Sequence, residues 1–162
     1  MVFGPNTDGR EIGSQLRKYI IEKCSEYGIL VRTEHEDLKK VHSKILGSGR
    51  NLCGLEYNTA KHVNAIVMIP DSPGSLVELG MFAFAGKICS KTLILFRDKY
   101  SLPDAQLSFV YLGPKLSYEE RKAKIEFVNY RRKKLVWQRV RAFLHEIKAL
   151  KWEESALREL LP

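Results

Sequence analysis

Apolar positions alternate between two periods along the chain, which predicts strands and helices in turn. Val2 and Phe3 form a short apolar start that breaks at Gly4-Pro5, and residues 6–9 offer several N-caps for a helix. Ile12, Leu16, Tyr19, Ile20 and Cys24 recur at helical spacing, with Gly28 placed to end that helix before a second strand at residues 29–31. Residues 37–46 read as a helix closed by Gly47-Ser48-Gly49, and residues 52–61 as a shorter one. Residues 63–69 are nearly continuously apolar, as expected of a central strand covered on both faces. Pro70 ends it. A helix over residues 76–88 follows, with Gly80, Ala83 and Ala85 small enough for close approach to a sheet, and then a buried strand at residues 92–96. Residues 107–112 predict one more strand, residues 118–150 one or two helices, and residues 152–161 a terminal helix. Strands alternating with helices at this spacing predict an α/β fold, a Rossmann-like three-layer sandwich with a mostly parallel sheet. A single domain is expected over residues 1–162, with a core at 1–112 and a helical C-terminal extension at 113–162.

The composition fits that picture. The chain has 162 residues, 44% of them hydrophobic, enough for one core without disulfides or a structural metal. Cys24, Cys53 and Cys89 are odd in number and widely spaced, so they are expected as reduced core thiols. No apolar run approaches the roughly 18 residues of a membrane span, and no basic-then-apolar leader opens the chain. A soluble, cytoplasmic protein is expected. The net charge of +8 is unevenly placed: residues 113–151 hold twelve Lys or Arg against four Glu, leaving the remainder neutral. The basicity therefore belongs to the C-terminal segment and not to the whole chain.

In a parallel sheet, ligands bind beyond the carboxyl ends of the strands, where the next helices present unpaired N–H groups. Two loops answer that description. The first contributes Gly4, Pro5, Asn6 and Asp8 as candidate contacts to a base or sugar, although turn and cap duty explains Asn6 and Asp8 equally well. The second contributes Asp71, Ser72, Gly74 and Ser75: a glycine that permits close approach, two hydroxyls, and a helix start that favours an anion such as phosphate. One turn further, Glu78 stands among the apolar Leu76, Val77, Leu79 and Met81, a setting in which a carboxylate needs a reason.

The pattern Ser72-x-Gly74-x-x-x-Glu78-Leu79-Gly80 resembles the signature of the nucleoside 2-deoxyribosyltransferases and the related 2′-deoxynucleoside 5′-phosphate N-hydrolases, whose opening strand also ends in Gly-Pro, as Gly4-Pro5 does here. The resemblance spans roughly residues 1–96. It implies that Glu78 attacks C1′ of the sugar, expels the base and forms a glycosyl-enzyme ester, and that Ser72 contacts a 5′-phosphate. By the family's spacing, eight residues before Asn64, it implies Glu56 as a second acid that orients the substrate or handles a proton. Two departures stand out: Asn64 replaces the family's acid at the start of the central strand, and Ser75-Leu76-Val77 replaces a middle richer in Gly and Tyr. Pro73-Gly74-Ser75-x-x-Glu78 is also loosely similar to the phosphate motif of lysine-decarboxylase-like phosphoribohydrolases. Enzymes of this resemblance are usually oligomers with sites near subunit contacts, so a homo-oligomer is expected. Relatives with this core also occur as antiphage effectors acting on free nucleotides or NAD.

The resemblance implies an N-glycosidase or deoxyribosyltransferase acting on a nucleoside or nucleotide. The alternative is a non-catalytic nucleotide-binding or sensing module whose basic C-terminal helices dock a partner. Arg131, Arg132, Lys133 and Lys134, with Arg139 and Arg141, read as one charged helix face, either solvated or set against a nucleic acid or an acidic protein. His35, His42, His62 and His145 lack metal-ligand spacing, so neither a metal nor a cofactor is expected.

Overall fold

The computed structural model describes residues 1–32, 52–104 and 108–160. Four parallel strands, β1 (Val2–Phe3), β2 (Ile66–Met68), β3 (Thr92–Arg97) and β4 (Lys124–Val128), lie side by side in that order. Val2 sits opposite Val67, Val67 opposite Leu93, and Leu93 opposite Lys124. The helices are α1 (Ile12–Glu26), α2 (Leu52–His62), α3 (Pro73–Phe82), α4 (Gly86–Cys89), α5 (Leu116–Glu120) and α6 (Lys133–Leu160).

The period-2 alternation of the strands sorts their side chains between two cores. Val2, Val67, Ile69, Leu93 and Leu95 face α1 and α6, meeting Leu16, Ile20, Val136, Val140 and Phe143. Phe3, Ile66, Met68, Ile94 and Phe96 face the opposite layer of α2 to α5, meeting Leu79, Phe82, Ile88 and Tyr118. Each such side chain, fully buried, contributes roughly 1.5–3 kcal/mol. The result is the expected α/β three-layer sandwich. Both faces of β2 and β3 are covered, which is why these strands are nearly continuous in apolar residues.

Several elements differ from expectation. Residues 29–31 form no strand; the segment passes the edge of β1 with one long hydrogen bond, Val2 N–H to Arg32 O at 3.4 Å, and Leu30 is exposed. The helix expected at 37–46 lies outside the described residues. The helix expected over 76–88 starts earlier, at Pro73, and is interrupted at residues 83–85 before α4. Of residues 107–112, expected as a strand, 109–112 are helical, and Tyr111–Lys115 form a π-helical turn around Pro114, whose missing N–H weakens the regular ladder.

The largest correction is β4, which falls inside the stretch read as all helix. Its Lys124 and Glu126 pair with Glu146 and Arg139 of α6, so charged positions on this edge strand are satisfied from the neighbouring helix. Beyond β4, residues expected as separate helices form one 28-residue helix, about 42 Å long at 1.5 Å per residue. Its first half is buried through Val136, Val140, Phe143 and Ile147, while residues 148–157 are exposed throughout.

Candidate functional site

The carboxyl ends of the strands gather the predicted loops on one edge of the sheet. After β1, Gly4 takes φ +153°, and a Cβ there would lie 3.1 Å from Ile69 Cβ and 3.2 Å from Ile69 O, so glycine lets the ends of β1 and β2 close together. Arg17 of α1 is buried beneath this turn. Its guanidinium donates to Gly4 O at 2.8 Å, Pro5 O at 3.0 Å and Val2 O at 2.8 Å. The Gly4 and Pro5 carbonyls thus face inward to Arg17. Asn6 is exposed, with Oδ1 accepting the Asp8 N–H at 3.2 Å and its carbonyl accepting the Gly9 N–H at 3.1 Å, so it builds the turn that presents the exposed Asp8.

After β2, Ser72 is the N-cap of α3, and Pro73 occupies the first turn. Ser72 Oγ accepts the Ser75 N–H at 3.3 Å, while Ser75 Oγ accepts the N–H of Ser72 at 2.9 Å and of Asp71 at 3.1 Å. Ser75 is buried, so its hydroxyl serves the reciprocal cap and stiffens the loop. Ser72 keeps a partly exposed edge. A Cβ on Gly74 would meet nothing within 4 Å, so the loop is open to solvent at that point.

Asp71 is turned the other way, under the loop. Its side chain is only 8% exposed and accepts from Arg97 Nη2 at 2.6 Å. Arg97 in turn lies 5.4 Å from the Tyr130 ring, and the Tyr130 hydroxyl donates to Leu95 O. Burial first, then the Asp71 charge, pushes the Tyr130 phenol far above its ordinary value, keeping it a neutral donor. A cross-brace therefore ties the ends of β2, β3 and β4 together.

Glu78 lies in the second turn of α3, only 8% exposed, in a helix otherwise dominated by apolar residues. The fully buried Tyr118 is close enough that the Glu78 charge raises its phenol, after burial and the Cys89 thiol. Glu56 lies on α2, which packs against α3 with the Tyr57 and Phe82 ring centroids 6.4 Å apart. Both helices run back toward the start of a following strand, so their first turns lie at the carboxyl edge of the sheet. Glu56 and Glu78 each stand in the second turn of their helix, in the same helical layer of the sheet. Burial raises the Glu56 carboxyl above its ordinary value and favours its protonated form.

The basic run sits differently from its expected helix face. Arg131 and Arg132 occupy the turn after β4, held by Asn129 through N–H bonds of 3.0 Å and 2.9 Å, and Lys133 opens α6 with its ammonium 3.4 Å from Gln15 Oε1. Arg131, Arg132 and Lys134 are exposed on the same edge as the Asp71 loop. Arg139 is paired with Glu126, and Arg141 lies over the Tyr27 ring. Cys24 and Cys89 are buried thiols raised by desolvation, but Cys53, expected in the core, is exposed. Among the described residues, no three His, Cys, Asp or Glu cluster as metal ligands.

Three residues that shape the site escaped the sequence reading: Arg17, Arg97 and Tyr118. Arg17 carried a signal, since Gly13, Leu16, Arg17, Ile20 and Cys24 share one buried stripe of α1 and an arginine there must find acceptors. Arg97, a charge directly after five buried strand residues, carried another.

A sequence profile of the family described as STM3845 retron effector protein matches residues 13–158. No curated protein matches the chain.

Proposed function

The chain belongs to the STM3845 retron effector protein family, and from that premise we propose that it is the effector of a retron, acting as an N-glycosidase on a nucleoside or nucleotide. The observation that carries the chemistry is Glu78: a carboxylate 8% exposed in an apolar helix, one turn below the capped Ser72 loop, on the edge where a parallel sheet takes its ligands.

In the proposed reaction a Glu78 oxygen forms a bond to C1′ as the C1′–N bond breaks, and the bonding pair leaves with the base. Glu56, whose burial favours the protonated carboxyl, gives its proton to the departing nitrogen. Water then attacks C1′, the ester bond to Glu78 breaks, and the water's proton returns to Glu56. With a second base in place of water, the same steps give transfer. Ser72 and the Gly74 N–H face a 5′-phosphate, while Ser75, Asp71 and Arg97 hold that loop in place. The site as argued uses no metal or cofactor.

Chromatography of free base released from deoxynucleosides, their 5′-phosphates, ribonucleotides and NAD tests this, with the parent chain and Glu78→Gln side by side. Release by the parent and at least a thousandfold less by the variant is expected. No release from any member by the parent, with nucleotide still bound by both proteins, would leave a sensing module in its place.

A further inference from the structure

A half-open cleft of about 790 Å³ lies at the opposite edge of the sheet from Glu78, between the start of β1, the end of α1 and the outer half of α6. Its floor is apolar, formed by Val2, Val67 and Ile147 among others. Its rim carries Arg32, Arg141, Lys148 and Lys151, and no Asp or Glu is among its described lining residues. The nearby Glu146 is turned away to Lys124 on β4. Two aromatic rings stand in this basic rim with much of their surface in water: Tyr27 at 53% and Trp152 at 78% exposure. Tyr27 is already engaged, with Arg141 5.4 Å from its centroid and the Trp137 ring, tilted by 45°, at 5.5 Å.

The length of the cleft identifies its occupant. The α6 residues that line it run from Trp137 through Arg141, Lys148 and Trp152 to Ser155, nineteen residues that span about 27 Å of helix. A mononucleotide is far shorter. An exposed Trp152 ring beside cations, with no carboxylate among the described lining residues, matches a chain of flat bases joined by phosphates, which stacks on aromatic side chains while its charges are neutralised. We propose that this cleft binds single-stranded nucleic acid, Trp152 stacking a base and Arg32, Arg141, Lys148 and Lys151 holding the backbone. The binding surface is thus separate from Arg131 to Lys134, and it stands whether or not Glu78 is a nucleophile.

The test is fluorescence anisotropy of labelled 12-mers of deoxythymidylate and uridylate with the full chain. Lys148→Glu/Lys151→Glu, Trp152→Ala and the control Arg131→Glu/Arg132→Glu lie at exposed positions, and circular dichroism checks that each remains folded. Saturable binding is expected, with the logarithm of affinity falling against the logarithm of salt at a slope of about −3 for four cations. The double Lys variant should weaken binding at least tenfold, Trp152→Ala roughly fivefold or more, and the control less than twofold. No binding of either 12-mer overturns the proposal. So does a loss confined to the control variant, equal competition by polyglutamate, which would indicate an acidic protein, or saturation by a mononucleotide with no gain from a strand.

Discussion

Replacing Gly13 with alanine sets a helix propensity against a clash, and the structure decides which wins. Alanine inside a helix gains up to about 1 kcal/mol over glycine, less in a first turn where Gly13 lies. At this position, however, a Cβ would stand 2.9 Å from Asp71 Cβ and 3.0 Å from its Cγ, and well inside contact distance of the carboxylate. Contact between carbons begins near 3.5 Å, so Asp71 must retreat by roughly half an ångström or more. It has little room, being 8% exposed and tied to Arg97 at 2.6 Å, which itself lies against Tyr130. Overpacking costs about 1–3 kcal/mol, and weakening a largely buried hydrogen bond to a charge adds about 1–2 kcal/mol. The net expectation is destabilisation by about 2–4 kcal/mol. Urea unfolding of the parent, Gly13→Ala, Asp71→Ala and the double variant measures it, with the coupling between the two sites expected to exceed about 1 kcal/mol. A Gly13→Ala protein as stable as the parent, or additive with Asp71→Ala, would refute the cross-brace.

Other expectations follow from the same edge of the sheet. Arg17→Met keeps most of the side-chain volume but removes three hydrogen bonds and leaves the Val2, Gly4 and Pro5 carbonyls buried, so a loss of about 2–5 kcal/mol is expected in urea unfolding; a loss below 1 kcal/mol would mean water replaces the guanidinium. Burial raises the folded pKa of Glu56 above its ordinary value of 4.5, so ionising it opposes folding: the penalty is absent below pH 4.5, grows as pH rises toward the folded value and is complete above it. Glu56→Gln should therefore be more stable than the parent at neutral pH, with the difference vanishing below pH 4.5. A pH-independent difference would remove the case for Glu56 as a proton donor.

The candidate site was partly legible. Glu78 stood out because a carboxylate among apolar helix positions is costly, and its burial agrees with that reasoning. A cap at Ser72 was legible as an alternative to a ligand contact, although the helix was expected to start at residue 76 and starts at Pro73. What the loop does with its own groups was not: two serines three residues apart serve equally as ligands or as a reciprocal cap, and the backbone bonds made by Ser75 distinguish them.

Local periodicity determined most of the architecture. Continuous apolar runs in β2 and β3 require cover on both faces, and a 3.6-residue spacing in α1 requires a helix with one buried stripe, so alternation alone implied a parallel sheet between helical layers. Tertiary structure decided the rest, because it depends on partners distant in the chain. Lys-Ile-Glu-Phe-Val is too short and too charged to declare a strand, and it becomes β4 only because β3 offers a free edge and α6 supplies opposite charges to Lys124 and Glu126. Asp71 looked like a ligand contact until Arg97, 26 residues away, claimed its carboxylate. The basic helix was visible in composition, but which of its cations share a cleft with exposed rings was set by the way α6 packs on α1 and runs past the sheet.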